Sequence, residues 1–194
     1  MSRHVDLDPE GAPLGLCVVL PGRHYTADGP LLFFAAQVAL AHGWQVRQVW
    51  WEPPQRGSLT VADEAAWVGN HLDAALEAYD GRVLVVAKSL GTLAAGRAAE
   101  RGLDAVWLTP LLADPDAAAP LASYPASQFV AIGADDPYLD REVLDRLPGT
   151  HVVVPGDHVL RVLGDVAAML DSHARVSHAF EAWLTHLTPD GSPR

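Results

Sequence analysis

Three side chains, far apart in a chain of 194 residues, are of the types needed for nucleophilic acyl chemistry: Ser89, Asp136 and His158. A serine hydroxyl is a poor nucleophile until a base removes its proton. Histidine ordinarily titrates near neutrality, so it is suited to take that proton and later hand it to a leaving group. A carboxylate orients the imidazole and stabilises its protonated form. Forty-seven residues separate Ser89 from Asp136, and 22 separate Asp136 from His158. Each gap holds whole strand-and-helix units, so the fold must bring the three together.

The segment around Ser89 shows how one of them is presented. Val83 to Ala87 is a short β-branched run suited to a strand buried on both faces. From Gly91 the residues are small and helix-compatible, and Gly102 supplies a stop. Ser89 therefore sits where a strand reverses into a helix. So tight a turn crowds the positions two residues to either side, which are the small residues Ala87 and Gly91. It also pushes the hydroxyl above the sheet, within reach of a substrate.

The same alternation of strand and helix runs along the whole chain. Leu14 to Leu20 is an apolar strand ended by Pro21-Gly22, and Pro30 to His42 is a helix with Asp28 near its start and Gly43 after its end. Gln45 to Trp51 is a second strand. Thr60 and Asp63 form a capping box that opens a helix with Val61, Ala65, Val68, Leu72, Leu76 and Tyr79 on one face. After the Ser89 unit come strands over Ala105 to Leu108, Phe129 to Ile132 and His151 to Val154. Ala113 to Ala126 is read as an irregular excursion with at most a short helix, and Asp140 to Leu147 as a short helix. A last helix starts near Asp165, with Val166, Met169, Leu170, Val176, Phe180, Trp183, Leu184 and Leu187 expected on the face toward the sheet. This order predicts an α/β fold: a mainly parallel sheet of about six strands with helices on both faces. The expectation is a single domain over 1–194, with 1–13 and 189–194 as loose termini.

In open sheets of this kind the site lies at the carboxyl ends of the strands. The first strand ends at Pro21-Gly22-Arg23-His24, the third at Ser89, the fifth at Asp135-Asp136 and the sixth at Asp157-His158. Asp135 competes with Asp136, and the Gly-x-x-Asp spacing from Gly133 favours Asp136. His151 competes with His158 but begins a strand, at the opposite end. Ser89 alone would read as a plain helix-start serine. The neighbouring context makes it the candidate nucleophile.

Taken together, Leu20-Pro21-Gly22-Arg23, Ala87-Lys88-Ser89-Leu90-Gly91, Gly133-Ala134-Asp135-Asp136 and Gly156-Asp157-His158 make the sequence similar to the α/β-hydrolase superfamily. It most resembles the small, lidless, dienelactone-hydrolase-like members, over about Leu14 to Leu187. The resemblance implies a minimal fold with no cap domain and a Ser89–His158–Asp136 triad. It also implies an oxyanion hole from the backbone N–H groups of Leu90 and Arg23. Gly22, His24 and Tyr25 are the expected substrate-binding residues. The chain departs from the family in two places. Ala87 stands at the first elbow position instead of glycine, and Pro21-Gly22 replaces the usual His-Gly after the first strand. The implied activity is hydrolysis of a small ester, thioester or lactone through an acyl-enzyme. The alternative is a non-catalytic binding or regulatory module on the same fold.

Composition bounds the rest. There are 24 acidic and 13 basic residues, a formal net charge of -11, and no cluster of Lys or Arg, which argues against nucleic acid as a partner. The apolar stretches fall short of a membrane span of about 20 residues, and no signal peptide is visible near the N-terminus. A bacterial, cytoplasmic protein, monomeric or homodimeric, is expected to act on a small acyl substrate. No cofactor and no metal are expected, since His173 and His178 are poorly spaced to share an ion. The single cysteine, Cys17, lies in the first apolar run and reads as an inert core residue. Lys88 and Arg23 flank the candidate site. Each is either an anion-binding group or a solvated or paired surface charge. Asp157 reads as a loop-capping or solvated carboxylate. Trp50 and Trp51 point to opposite faces of their strand.

Overall fold

The computed structural model describes residues 3–187. Strands β1 (Arg3–Leu7), β2 (Gly15–Leu20), β3 (Trp44–Trp50), β4 (Val83–Lys88), β5 (Asp104–Leu108), β6 (Gln128–Gly133) and β7 (Thr150–Val154) form one sheet in the order β1-β3-β2-β4-β5-β6-β7. β2 through β7 are mutually parallel. The six strands expected from the sequence correspond to β2 through β7. Helices α1 (Pro30–Ala41), α2 (Val61–Ala75), α3 (Ala95–Glu100), α4 (Pro115–Ala122), α5 (Arg141–Leu144) and α6 (Val166–Leu187) fill the crossovers and cover both faces.

The central parallel strands β2, β4, β5 and β6 are almost entirely apolar because both of their faces are buried, whereas β3 and β7 toward the edges carry polar or partly exposed residues. Alternate residues supply two cores. Leu16, Val18, Val85, Ala87, Trp107, Val130 and Ile132 face α2, α3, α4 and α5. Cys17, Val19, Leu84, Val86, Val106, Leu108 and Phe129 face α1 and α6. Cys17 is fully buried there, and desolvation pushes its thiol far above the ordinary range, so it is inert. Trp50 and Trp51 pack against opposite cores, as strand alternation predicts.

The structure corrects four expectations. Arg3–Leu7 is not loose: it adds a seventh, antiparallel strand against β3. Its polar residues are paired across the edge, with Asp6 opposite Arg47 and accepting two hydrogen bonds from the guanidinium, at 2.7 and 2.8 Å. The expected loose tail 189–194 lies outside the described residues. The helix after the serine opens as a 3₁₀ segment, Ser89–Ala94, and becomes α-helical only at Ala95. The expected helix over Asp140 to Leu147 is the single turn α5, with the Asp140 side chain accepting from the Val143 N–H. Finally, α6 buries Val176, Phe180 and Leu184, but Val166 and Leu170 in its first turns are more than half exposed. The excursion between β5 and β6 holds only α4. It is capped by Asp114, which accepts from the N–H groups of Asp116 and Ala117, and it is closed down on the core by Leu121.

Candidate active site

The chain crosses from β2 to β3 on one side and returns to β4 on the other, so the carboxyl ends of β2 and β4 flank a crevice. β4 ends at Lys88 in extended backbone, and Ser89 turns sharply with φ of 52°. That left-handed conformation costs a residue with a Cβ about 1–2 kcal/mol. It is held by the Thr92 hydroxyl, which donates to the Ser89 carbonyl at 2.7 Å. Gly91 is required by close packing: a Cβ there would lie 2.5 Å from the Leu20 carbonyl oxygen.

The other two candidate residues come from the ends of β6 and β7, which are clamped together. A Cβ on Gly133 would lie 2.2 Å from the Gly156 carbonyl oxygen and 2.6 Å from that of Asp157. Only glycine allows the two loops to approach so closely. The Ala134 and Asp135 N–H groups donate to the Val154 and Gly156 carbonyls at 2.7 and 3.0 Å. Asp157 fixes the second loop by accepting from the Val159 and Arg161 N–H groups and from the Arg161 side chain. It therefore caps a loop, one of the two roles the sequence suggests.

Ser89, His158 and Asp136 meet. The His158 Nε2 is 2.7 Å from the Ser89 Oγ. The His158 Nδ1 is 2.9 and 3.1 Å from the two Asp136 carboxylate oxygens. The Asp136 side chain is completely buried and also accepts from the Tyr138 N–H at 2.9 Å. The Tyr138 ring meets the imidazole edge-on, with centroids 4.9 Å apart. Asp135 is exposed, and His151 is 3.0 Å from the Leu147 carbonyl at the opposite end of β7, so neither competitor reaches the cluster.

Ser89 and His158 open into a cavity of about 290 Å³. Its walls include Arg23, His24 and Tyr25 from the loop after β2, Leu90 after the serine, and Lys88. Gly22 is not on the wall. It packs behind it, where a Cβ would touch Tyr25, Lys88 and Ser89 at 3.2–3.4 Å. The sequence reading missed Arg56, Glu64, Leu111, Tyr138 and Val159, which complete the lining. Tyr25 and Val159 also border an apolar groove of about 410 Å³ lined by Phe34, Met169 and the exposed Leu170 of α6.

The two basic residues flanking the site differ. The Arg23 guanidinium pairs with the buried Glu64 carboxylate and donates to the Pro54 carbonyl. It ties the β2 loop to α2. Lys88 is 2% exposed. Its Nζ lies 4.8 Å from the centre of the Tyr25 ring, in a cation–π contact. The Tyr25 hydroxyl is anchored by the Leu31 N–H at 2.8 Å, so the ring is fixed.

Solved structures share this architecture. Est1E from Butyrivibrio proteoclasticus superposes with a TM-score of 0.73 at 11% identity, covering 97% of this chain and 95% of the other. An α/β serine hydrolase homologue from Coxiella burnetii gives 0.69 at 11%, covering 92% and 91%. A lidless α/β serine hydrolase from Xanthomonas campestris gives 0.65 at 15%, covering 94% and 89%.

This chain has the α/β-hydrolase fold.

It is the lidless form of that fold, with only the eight-residue α4 between β5 and β6. No family model and no curated protein sequence matches the chain. Within this α/β-hydrolase fold, no group of three His, Cys, Asp or Glu residues is arranged to hold a metal among the described residues. No helix among them is long and apolar enough to cross a membrane.

Proposed function

We propose that the protein is a serine hydrolase that cleaves a small ester, thioester or lactone through an acyl-enzyme. The observation that carries this reading is the continuous hydrogen-bonded chain from the Ser89 Oγ through the His158 ring to Asp136. The hydrolases named among the structural neighbours support it. Ser89 Oγ attacks the substrate carbonyl carbon while His158 Nε2 takes the hydroxyl proton. The Asp136 carboxylate keeps Nδ1–H pointed at itself and stabilises the imidazolium. The negative charge that develops on the former carbonyl oxygen is received by the N–H groups of Leu90 and Arg23, one at the helical turn after Ser89 and one in the loop after β2. Collapse breaks the bond to the alcohol or thiol, which leaves with the proton from His158. Water then gives its proton to His158 and attacks the acyl-enzyme. This releases the acid and returns the proton to Ser89.

His24 and Tyr25 border the acyl position, and Gly22 gives the loop room to approach. At about 290 Å³ the cavity is at the small end for organic ligands, which favours short acyl groups. A fluorophosphonate probe tests the assignment. The wild-type protein should be labelled, and folded Ser89→Ala should not. Ester hydrolysis should fall by about 10⁴-fold or more in that variant. A folded wild-type protein that neither labels nor hydrolyses p-nitrophenyl esters would instead be a binding module.

A further inference from the structure

We propose that Lys88 is the recognition group for a carboxylate carried on the acyl portion of the substrate, so that the protein prefers short acyl groups with a second, negatively charged end.

The position itself is unusual. Residues 84, 86 and 88 alternate onto one face of β4, and the first two are Leu84 and Val86 in the core beneath α1 and α6. Lys88 continues that apolar series with an ammonium. A buried charge is ordinarily neutralised by an ion pair or fully hydrogen-bonded, because desolvation is costly. Among the described residues, Lys88 has neither a carboxylate oxygen within 4.0 Å nor a hydrogen-bond acceptor. Asp136 and Asp157 favour its charge only through space. Its Nζ instead lies over the Tyr25 ring face, and that ring is fixed by its own hydroxyl. The ammonium therefore stands in the cavity wall with its hydrogen-bonding capacity unspent.

The remaining charges define what Lys88 would receive. Arg23 is satisfied by Glu64 and the Pro54 carbonyl, and half-exposed Arg56 lies 4.0 Å from the other oxygen of Glu64. One buried carboxylate thus faces two guanidinium groups, and Lys88 adds a third cation to the same small cavity. With Glu64 and the buried Asp136 set against Arg23, Arg56 and Lys88, the site keeps one positive charge in excess, in a protein of net charge -11. A carboxylate on the substrate would complete the charge pairing that the chain leaves open. Lys88 and Ser89 are consecutive and line one cavity of about 290 Å³. That confines the separation between the reacting carbonyl and the carboxylate to a few carbon atoms. Glutarate half-esters fit this description.

The inference rests on the hydrolase reading for its kinetic test, but not for its binding test. Hydrolysis of p-nitrophenyl hydrogen glutarate is compared with that of p-nitrophenyl pentanoate, which matches it in size and lacks the charge. The ratio of kcat/KM should favour the glutarate ester in the wild-type protein. It should fall by roughly 10- to 100-fold in Lys88→Met, the loss of one charge-assisted hydrogen bond. Equal losses on both esters, or no change in the ratio, would overturn the proposal while leaving the hydrolase intact. Ser89→Ala allows binding to be measured without turnover. Calorimetric titration should show monomethyl glutarate binding and methyl pentanoate not binding, with the glutarate signal lost in Ser89→Ala/Lys88→Met. Failure of monomethyl glutarate to bind would sink the proposal, whether or not any ester is cleaved.

Discussion

The two rims of the sheet carry cavities of the opposite relative size to their chemistry. At the amino-terminal rim, a cavity of about 460 Å³ is lined by Arg82, Asp104, Ser127 and His186 with nearby backbone. Arg82 lies 3.9 Å from Asp104, and its guanidinium donates to the Leu187 carbonyl. The turns there use glycine for left-handed backbone at Gly43, Gly102 and Gly149. Ala78 is the exception. The carboxyl-terminal rim has the smaller cavity, yet it places Ser89, Thr109 and Leu160 in left-handed conformations and buries Lys88, Glu64 and Asp136. Strain and buried charge, more than volume, separate the two rims. Both are unfavourable to folding, and they cluster at the rim that carries the proposed site, as such costs commonly do at functional sites.

The sharpest way to break this comparison is to remove one buried charge while keeping its shape. Asp136→Asn preserves volume but changes what the group offers His158 Nδ1. The rate should fall by about 10⁴-fold. Its neighbour Asp135 is exposed on the same turn, and Asp135→Asn should change kcat/KM less than threefold or so, since it touches none of the cluster. Steady-state hydrolysis of p-nitrophenyl acetate measures both. Comparable effects from the two variants would mean that burial on this rim does not mark the reacting groups.

A second, smaller effect follows from Lys88. Burial lowers its ammonium from the ordinary 10.5 to about 8, against the opposing pull of Asp136 and Asp157. Between those values the unfolded chain holds a proton that the folded chain has released. Stability should therefore rise with pH from about 8 to 10.5, and below pH 8 the full penalty of about 3 kcal/mol applies. Lys88→Met removes that penalty. It should be more stable than wild type at pH 7, with the difference closing as pH approaches 10.5. Tyr25, Asp136 and Asp157 act on this position in both proteins, so the difference in urea unfolding between the pair at each pH reports mainly on the lysine. A variant that is destabilised, or a gap that does not vary with pH, would mean that the ammonium is well solvated or paired.

The rims also differ in how much of them the sequence discloses. β2 and β4 to β6 are legible because strands buried on both faces must be nearly continuously apolar, β7 by its Val152 to Val154 run, and punctuation by Pro21-Gly22 and Gly156-Asp157 helps to locate strand ends. β1 is hidden because its stability comes from cross-strand pairs such as Asp6 with Arg47, which in sequence look like ordinary surface charge. At the site, the meeting of Ser89, Asp136 and His158 is anticipated by their order at strand ends. The role of Arg23 is not, because its partner Glu64 is 41 residues away. In sequence Glu64 reads as first-turn polarity on α2, a place where acidic residues are common anyway. The one local sign of the site's excess positive charge is Lys88 itself, a lysine on the apolar alternation of β4. The 3₁₀ start at Ser89 leaves no compositional trace, since the same small residues suit either helix.

The weakest contrast is also the cleanest control. Ala78 is exposed on the amino-terminal rim with φ of 59°, a left-handed residue with no group that reacts or binds. Its Cβ costs about 1–2 kcal/mol in that conformation. Ala78→Gly relieves this but returns about 0.4–1 kcal/mol of freedom to the unfolded chain. The variant should gain up to about 1.5 kcal/mol in urea unfolding, with ester hydrolysis as in wild type. At Ser89 the same relief is out of reach, because the strained residue carries the hydroxyl. If Ala78→Gly lost stability, positive φ would not be strain in this fold. The left-handed turn at Ser89 would then need another explanation than a cost accepted for placing its side chain.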